Sequence, residues 1–335
     1  MIKRSGKIIF ASVTMIIITL VFYSVPSTNT DEEITIDSGG SKISGILRTP
    51  RQDPKGYIIL AHGNRREGKN HPLYQNLAKR LGSDYVVLAI DFTGFGKSNK
   101  PKGNRFETLD FSNDLIASVQ YLGSRFKIPR EDVILIGHSL GSVQVLNAGG
   151  LLHSRIIIPI GAGDADRLWL TSLDRKRRYA DKIKAETDVE IDTVSLEKEF
   201  DALRLERIFS RYKFQNVIFI YGEYEADFIK DVEKYINCTR QKEIFSSAPR
   251  IVIIPKSNHM YRTETKRFTE KTINKLGLNS AIEDIVKAIR KEISRVETKE
   301  GEGRDSDEYL GRTDGQAERY LIHEEMVEQK VIVGL

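Results

Sequence analysis

From Glu33 onward, short apolar runs alternate with amphipathic stretches. The runs YIILA, VVLAI, VILIG, RIIIPI and VIFIY show no polar alternation, the pattern of strands buried on both faces of a parallel sheet. Strands are expected at Glu33–Asp37, Ile43–Arg48, Gly56–Ala61, Tyr85–Ile90, Val133–Gly137, Arg155–Ile160, Val217–Tyr221 and Ile251–Ile254. Helical spacing falls between them, at Leu73–Leu81, Asp110–Phe126, Val143–Leu151, Asp227–Ile236 and Ser280–Ile293. This β-α alternation predicts an α/β fold with a mostly parallel, doubly wound sheet. Between Asp164 and Arg211 the rhythm breaks into charged, helix-prone sequence, which reads as a small helical cap at about 164–211. No internal repeat is visible.

The ends of the chain follow other patterns. Ile8 to Val25 is eighteen residues without a charge, preceded by Lys3, Arg4 and Lys7. As a helix it would span roughly 27 Å, close to a hydrocarbon core of about 30 Å. An N-terminal signal anchor over residues 1–28, transmembrane at about 8–25, is expected, with the basic residues cytoplasmic and the remainder outside the cytoplasm. A cleaved secretory signal is the alternative, with Val25-Pro26-Ser27 as a weak site and a secreted product. Residues 29–296 then make the folded domain. Residues 297–335 are charged and Gly-containing, and read as a disordered tail.

Composition narrows the function classes. The 335 residues are 40% apolar and 30% charged, too apolar for a disordered chain. Cys238 is the sole cysteine, so neither an internal disulfide framework nor a multi-cysteine zinc site is possible. The formal charge of +5 divides into −6 from Glu297 to Leu335 and +11 elsewhere. A basic chain invites a nucleic-acid reading, but no scaffold interleaves basic and aromatic residues. Arg175-Lys176-Arg177-Arg178 could meet phosphate or an anionic head group, though a solvated cap face is the simpler account.

The strongest chemical signal is Gly137-His138-Ser139-Leu140-Gly141, between the strand VILIG and the helical stretch that follows. A sharp strand-to-helix turn holds a serine hydroxyl proud of the sheet, beside the free N–H groups of the helix start. His62-Gly63-Asn64 follows the strand YIILA, where backbone N–H groups of Asn64 and Leu140 could converge on a carbonyl oxygen. A general base should lie in a loop after the last strand, and His259 does. The acid should come between, after VIFIY. Glu225 has the commoner offset from Gly222, Asp227 is the commoner residue type, and Asp164 after RIIIPIGAG is an outside candidate. Glu225 is preferred over Asp227. Gly94-Phe95-Gly96-Lys97-Ser98 mimics a P-loop, but Asp91 stands at its first glycine position. Gly161-Ala162-Gly163 mimics a dinucleotide fingerprint, but its third glycine position is Asp166. No HExxH occurs, and His62 and His71 lack partners at metal spacing.

From about Tyr57 to Ile293 the chain resembles α/β-hydrolase fold proteins of the serine hydrolase type, a group with monoglyceride lipases, lysophospholipases and related peptidases. The resemblance rests on HGN, GHSLG and Asp91-Phe92-Thr93-Gly94-Phe95-Gly96-Lys97-Ser98. Ser142 departs from it, standing where many relatives have a second glycine. It implies a serine hydrolase with nucleophile Ser139, base His259, acid Glu225 or Asp227, and an oxyanion hole from Asn64 and Leu140. The expected substrate is a small-molecule carboxylic ester, lipid or acylglycerol-like, with no cofactor, metal or nucleic acid. Peptidase, thioesterase and acyltransferase activities use the same residues, and a non-catalytic scaffold is the alternative of another class.

Overall fold

Runs that are apolar at every position must be covered on both sides, and the computed structural model buries them that way. It describes residues 30–164, 172–238, 241–261, 270–303 and 319–321. A hairpin of β1 (Thr30–Ser38) and β2 (Ser41–Thr49) opens the domain. Then β3 (Tyr57–Ala61), α1 (Pro72–Leu81), β4 (Val86–Ile90), α2 (Ser112–Phe126), β5 (Val133–His138), α3 (Leu140–Leu152) and β6 (Ile156–Ile160) alternate. An insertion follows, with α4 (Leu173–Thr187), α5 (Thr193–Ala202) and α6 (Leu205–Arg211). The chain closes with β7 (Asn216–Gly222), α7 (Ala226–Ile236), α8 (Gln241–Ile244), β8 (Arg250–Ile254), α9 (Glu270–Gly303) and β9 (Arg319–Leu321).

Among the described residues these strands form one sheet of order β1-β2-β4-β3-β5-β6-β7-β8-β9. The hairpin is antiparallel, as is its junction with β4; every later pairing is parallel. Gly39 and Gly40 make the two-residue turn at φ 55° and 91°, the positive φ that such tight hairpins need. β1 keeps a half-exposed alternation, while β4 and β5 are buried at every residue.

The strand period of two separates two cores. Ile58 and Leu60 face a layer built from α1 and α9, with Leu73, Leu77, Ile282, Ile285 and Ile289. Ile59 and Ala61 face the layer of α2 and α3. The helix α3 is apolar almost all round and buried from Gly141 to Gly150, so it runs through the core behind the strand-to-helix turn.

Two expectations at the chain's end differ from the structure. The last helix runs to Gly303, past the expected domain boundary at 296. Arg319–Leu321 then adds a parallel strand beside β8, inside the stretch read as a disordered tail. Low hydropathy hid this strand, because backbone pairing at a sheet edge needs few apolar side chains. The expected anchor lies outside the described residues. Among those described, no helix is long and apolar enough to cross a membrane.

Candidate active site

β5 ends at His138 and α3 begins at Leu140, so Ser139 alone turns the chain from strand to helix. It does so at φ 54° and ψ −117°, a conformation costing an L-residue about 1–3 kcal/mol. The turn is pinned on both sides: Ser139 N–H donates to Ile160 O at 2.9 Å, and Ser142 N–H donates to Ser139 O at 2.9 Å. The flanking glycines follow from close approach. A Cβ on Gly137 would stand 2.1 Å from Gly141 O, and one on Gly141 would stand 2.6 Å from His62 O.

The loop after β8 brings His259 over this turn. His259 Nε2 lies 2.9 Å from Ser139 Oγ, and Nδ1 lies 2.6 Å from Glu225 Oε1. An ionised carboxylate only accepts, so Nδ1 carries the proton and Nε2 is left to take one from the serine. Glu225 is 4% exposed, and its Oε2 accepts the Gly222 N–H at 2.6 Å. The buried Tyr261 hydroxyl adds a contact at 3.4 Å to the same oxygen. Gly161, at φ 65°, passes beneath the pair; a Cβ there would stand 3.0 Å from both Glu225 Oε1 and His259 Nδ1.

The other two acid candidates are placed elsewhere. Asp227 sits exposed in the first turn of α7. Asp164 Oδ1 accepts the Leu205 N–H at 3.0 Å, at the foot of the insertion. The structure therefore lines up Ser139, His259 and Glu225, and leaves Asp227 and Asp164 out of that line. Asn64 and Leu140 line the same cavity of about 330 Å³ as Ser139 and His259. Leu140 is the first residue of α3, where a helix leaves its N–H groups unpaired.

A second chain of contacts supports the first and was not foreseen from the sequence. The Gly63 N–H donates to the Tyr74 hydroxyl at 2.7 Å, and that hydroxyl lies 2.9 Å from His138 Nδ1. His138 Nε2 lies 2.8 Å from the carbonyl of His259. A carbonyl can only accept, so Nε2 bears the proton and Nδ1 accepts from Tyr74. Burial, reinforced by His259, holds the His138 pKa well below the usual histidine range, and burial pushes the Tyr74 hydroxyl up. Both therefore stay neutral. His62, also pushed down by burial, accepts the Phe92 N–H at Nε2 and fixes the strand-to-loop turn before Gly63.

The P-loop mimic is a turn wrapped around a carboxylate. Asp91 accepts the Lys69 N–H at 2.6 Å and the Lys97 N–H at 2.8 Å, and pairs with Lys69 Nζ at 2.5 Å. A Cβ on Gly96 would stand 2.3 Å from Asp91 Oδ2, so the space a phosphate would need is filled. Among the described residues no cluster of three or more acidic, histidine or cysteine side chains could hold a metal ion.

Residues 52–160 match the serine aminopeptidase S33 family, a stretch that includes Ser139 and ends before Glu225 and His259. Over 113 residues the chain is 30% identical to a monoacylglycerol lipase of Mycolicibacterium smegmatis, covering 33% of this chain and 38% of the lipase. Over 106 residues it is 27% identical to a proline iminopeptidase of Pestalotiopsis fici, covering 32% and 34%. The matched stretch thus spans little more than a third of these curated relatives. Among solved structures, Est1E from Butyrivibrio proteoclasticus with bound ferulic acid superimposes at a TM-score of 0.51 and 17% identity. That likeness covers 78% of this chain and 99% of the other, and it concerns the fold.

Proposed function

The chain has the α/β-hydrolase fold, and from that premise we propose that it is a serine hydrolase that cleaves carboxylic esters through an acyl-serine intermediate. The observation that carries this reading is the unbroken line Glu225–His259–Ser139 at the wall of an open cavity. His259 takes the Ser139 proton at Nε2 as Oγ forms a bond to the carbonyl carbon. Glu225 stabilises the imidazolium that results. The N–H groups of Asn64 and Leu140 hold the oxyanion, an effect worth about 3 kcal/mol per donor. The tetrahedral intermediate collapses, the bond to the alcohol oxygen breaks, and His259 gives its proton to that oxygen. Water, deprotonated by the same nitrogen, then releases the acid and restores the serine.

Acyl chains of lipids or lipid-like esters are the favoured substrates. Leu140, Val143, Tyr179, Leu203 and Phe228 give the cavity a largely apolar lining, and one relative is a monoacylglycerol lipase. Peptide hydrolysis is the second reading, motivated by the serine aminopeptidase family match. We further propose that residues 8–25 anchor the protein in a membrane, with the catalytic domain outside the cytoplasm, on the strength of their eighteen uncharged residues behind a basic start.

Fluorophosphonate labelling and p-nitrophenyl esters of increasing chain length test the chemistry. Ser139→Ala is expected to abolish labelling and ester turnover while the protein stays folded. Turnover above about a tenth of the parent rate in that variant would remove the acyl-serine step. Faster cleavage of a short peptide amide than of a medium-chain monoacylglycerol would favour the peptidase reading. Alkaline carbonate extraction tests the anchor: the full-length chain is expected in the membrane pellet, and recovery in the soluble exported fraction would overturn it.

A further inference from the structure

Two loops carry opposite halves of the proposed machinery: the one after β3 bears Asn64, and the one after β8 bears His259. The residue that follows each of them closes a contact between the loops. Arg65 Nη2 lies 3.2 Å from the Met260 sulfur, across 195 residues of sequence, and a thioether is a weak acceptor for a guanidinium. Met260 is half-buried and lines the cavity with Ser139 and His259, where small solutes reach it. It is the sole methionine among the described residues; Met1, Met15 and Met326 lie outside them.

The backbone is held at both ends of this contact. The Met260 N–H donates to Asn258 Oδ1 at 3.0 Å, and the Tyr261 N–H donates to Asn258 O at 2.8 Å. Tyr261 is buried at φ 54°, a conformation an L-residue keeps only where its surroundings impose it. On the facing loop, Arg65 O accepts the Gly68 N–H at 3.0 Å, and a Cβ on Gly68 would stand 2.1 Å from Asp91 Oδ1. An N–H···O bond needs about 2.9 Å for itself. The 3.2 Å between nitrogen and sulfur therefore has no room for an added oxygen, and neither loop yields without moving Asn64 or His259 with it.

Resting on the ester-hydrolase reading above, we propose that Met260 is a modification site for peroxide-class oxidants, and that its sulfoxide parts the Asn64 and His259 loops and slows turnover. A sulfur lone pair attacks one peroxide oxygen and the O–O bond breaks. The departing hydroxide takes the proton of the oxygen now on sulfur and leaves as water. The thioether gives up two electrons and the peroxide gains them. The sulfoxide oxygen is a far stronger acceptor than sulfur, so it captures the Arg65 guanidinium. Two thiols of a sulfoxide reductase reverse the step, yielding water and a disulfide. A shift of about 1 Å between base and oxyanion donors costs up to about 10²-fold in rate.

The full-length protein, treated with hydrogen peroxide and then with dithiothreitol, tests this. The thiol reverses a sulfenic acid at Cys238 and leaves a sulfoxide in place. Peptide mass mapping should find Met260 converted, with kcat on a p-nitrophenyl ester down about tenfold and KM within about twofold. Methionine sulfoxide reductases A and B, added together, should restore the rate. Met260→Leu, which keeps the volume and lacks the sulfur, should hold its own rate through the same treatment. Arg65→Ala should lose less than about twofold on oxidation, because its sulfoxide has no guanidinium to displace. No conversion of Met260, conversion without loss of rate, a loss that persists in Met260→Leu, or an equal loss in Arg65→Ala would each overturn the proposal.

Hydrogen exchange separates this inference from the hydrolase reading. Amide exchange over residues 63–68 and 256–261 should quicken on oxidation, whether or not any ester is turned over. If no ester is cleaved and exchange quickens, the hydrolase reading fails while the modification site stands. If esters are cleaved and Met260 converts with neither exchange nor rate altered, the hydrolase reading stands and the modification site falls.

Discussion

A carboxylate holds an imidazole tautomer only if its oxygen reaches Nδ1, and in the turn after β7 that condition separates two acids two residues apart. Glu225 reaches His259 at 2.6 Å from a buried position, whereas Asp227 is exposed on the next helix. Glu225→Gln should therefore lower kcat by about 10⁴-fold, since the amide favours the wrong imidazole tautomer. Asp227→Asn should stay within about twofold of the parent. Steady-state rates on one p-nitrophenyl ester decide between them, and equal, mild losses in both would move the acid's role elsewhere. The sequence alone left this pair open for a physical reason. Both lie within one turn, and which of them points back depends on the Gly222–Glu225 hydrogen bond that tightens it.

At the scale of elements, the feature that joins the machinery is the tie from α1 to β5. Tyr74 receives the Gly63 N–H and reaches His138, across 64 residues of sequence. Tyr74→Phe would strand a buried donor and a buried acceptor, at about 1–3 kcal/mol each. We expect a loss of about 2–4 kcal/mol in urea denaturation and a drop in kcat with little change in KM, as the loop bearing Asn64 loosens. An unchanged kcat would make Tyr74 purely structural. This tie left no trace in the sequence, because hydrogen bonds across the sheet have no fixed spacing along the chain. The strands were legible for the opposite reason. VVLAI and VILIG are buried at every position, and burial on both faces writes itself directly into composition. The serine turn was legible because a Cβ at Gly137 or Gly141 would meet backbone within 3 Å. The short strand at Arg319–Leu321 wrote no such signature.

For the whole molecule, two buried histidines make acid sensitivity a property of the fold. His62 and His138 both have pKa values lowered by burial, so each stays neutral in the folded protein after the unfolded chain has begun to protonate. The unfolded state then binds more protons as pH falls below about 6.5, and stability falls with it, by up to about 1.4 kcal/mol per pH unit for each histidine. Above that pH neither contributes a slope. Urea midpoints measured between pH 8 and 5 should be flat at first and then decline below pH 6.5. A His138→Gln variant should decline less steeply, and an identical slope in both proteins would remove His138 from the account.

Ser139 stands at the end of the fifth strand, while His259, the base in the proposed mechanism, arrives 120 residues later, in the loop after the eighth. Between them lie the insertion and three further strands, β6, β7 and β8, each of which must find its parallel neighbour before His259 can reach Ser139. On the proposed mechanism, a chain that has laid down only the first half of its sheet would carry the whole GHSLG turn and none of its reactivity. Covalent capture of Ser139 by a phosphonate would then be a clock for the last stage of folding, expected to start only when β8 has docked. During synthesis the same delay would keep the proposed nucleophile from meeting esters before there is a cavity to choose among them.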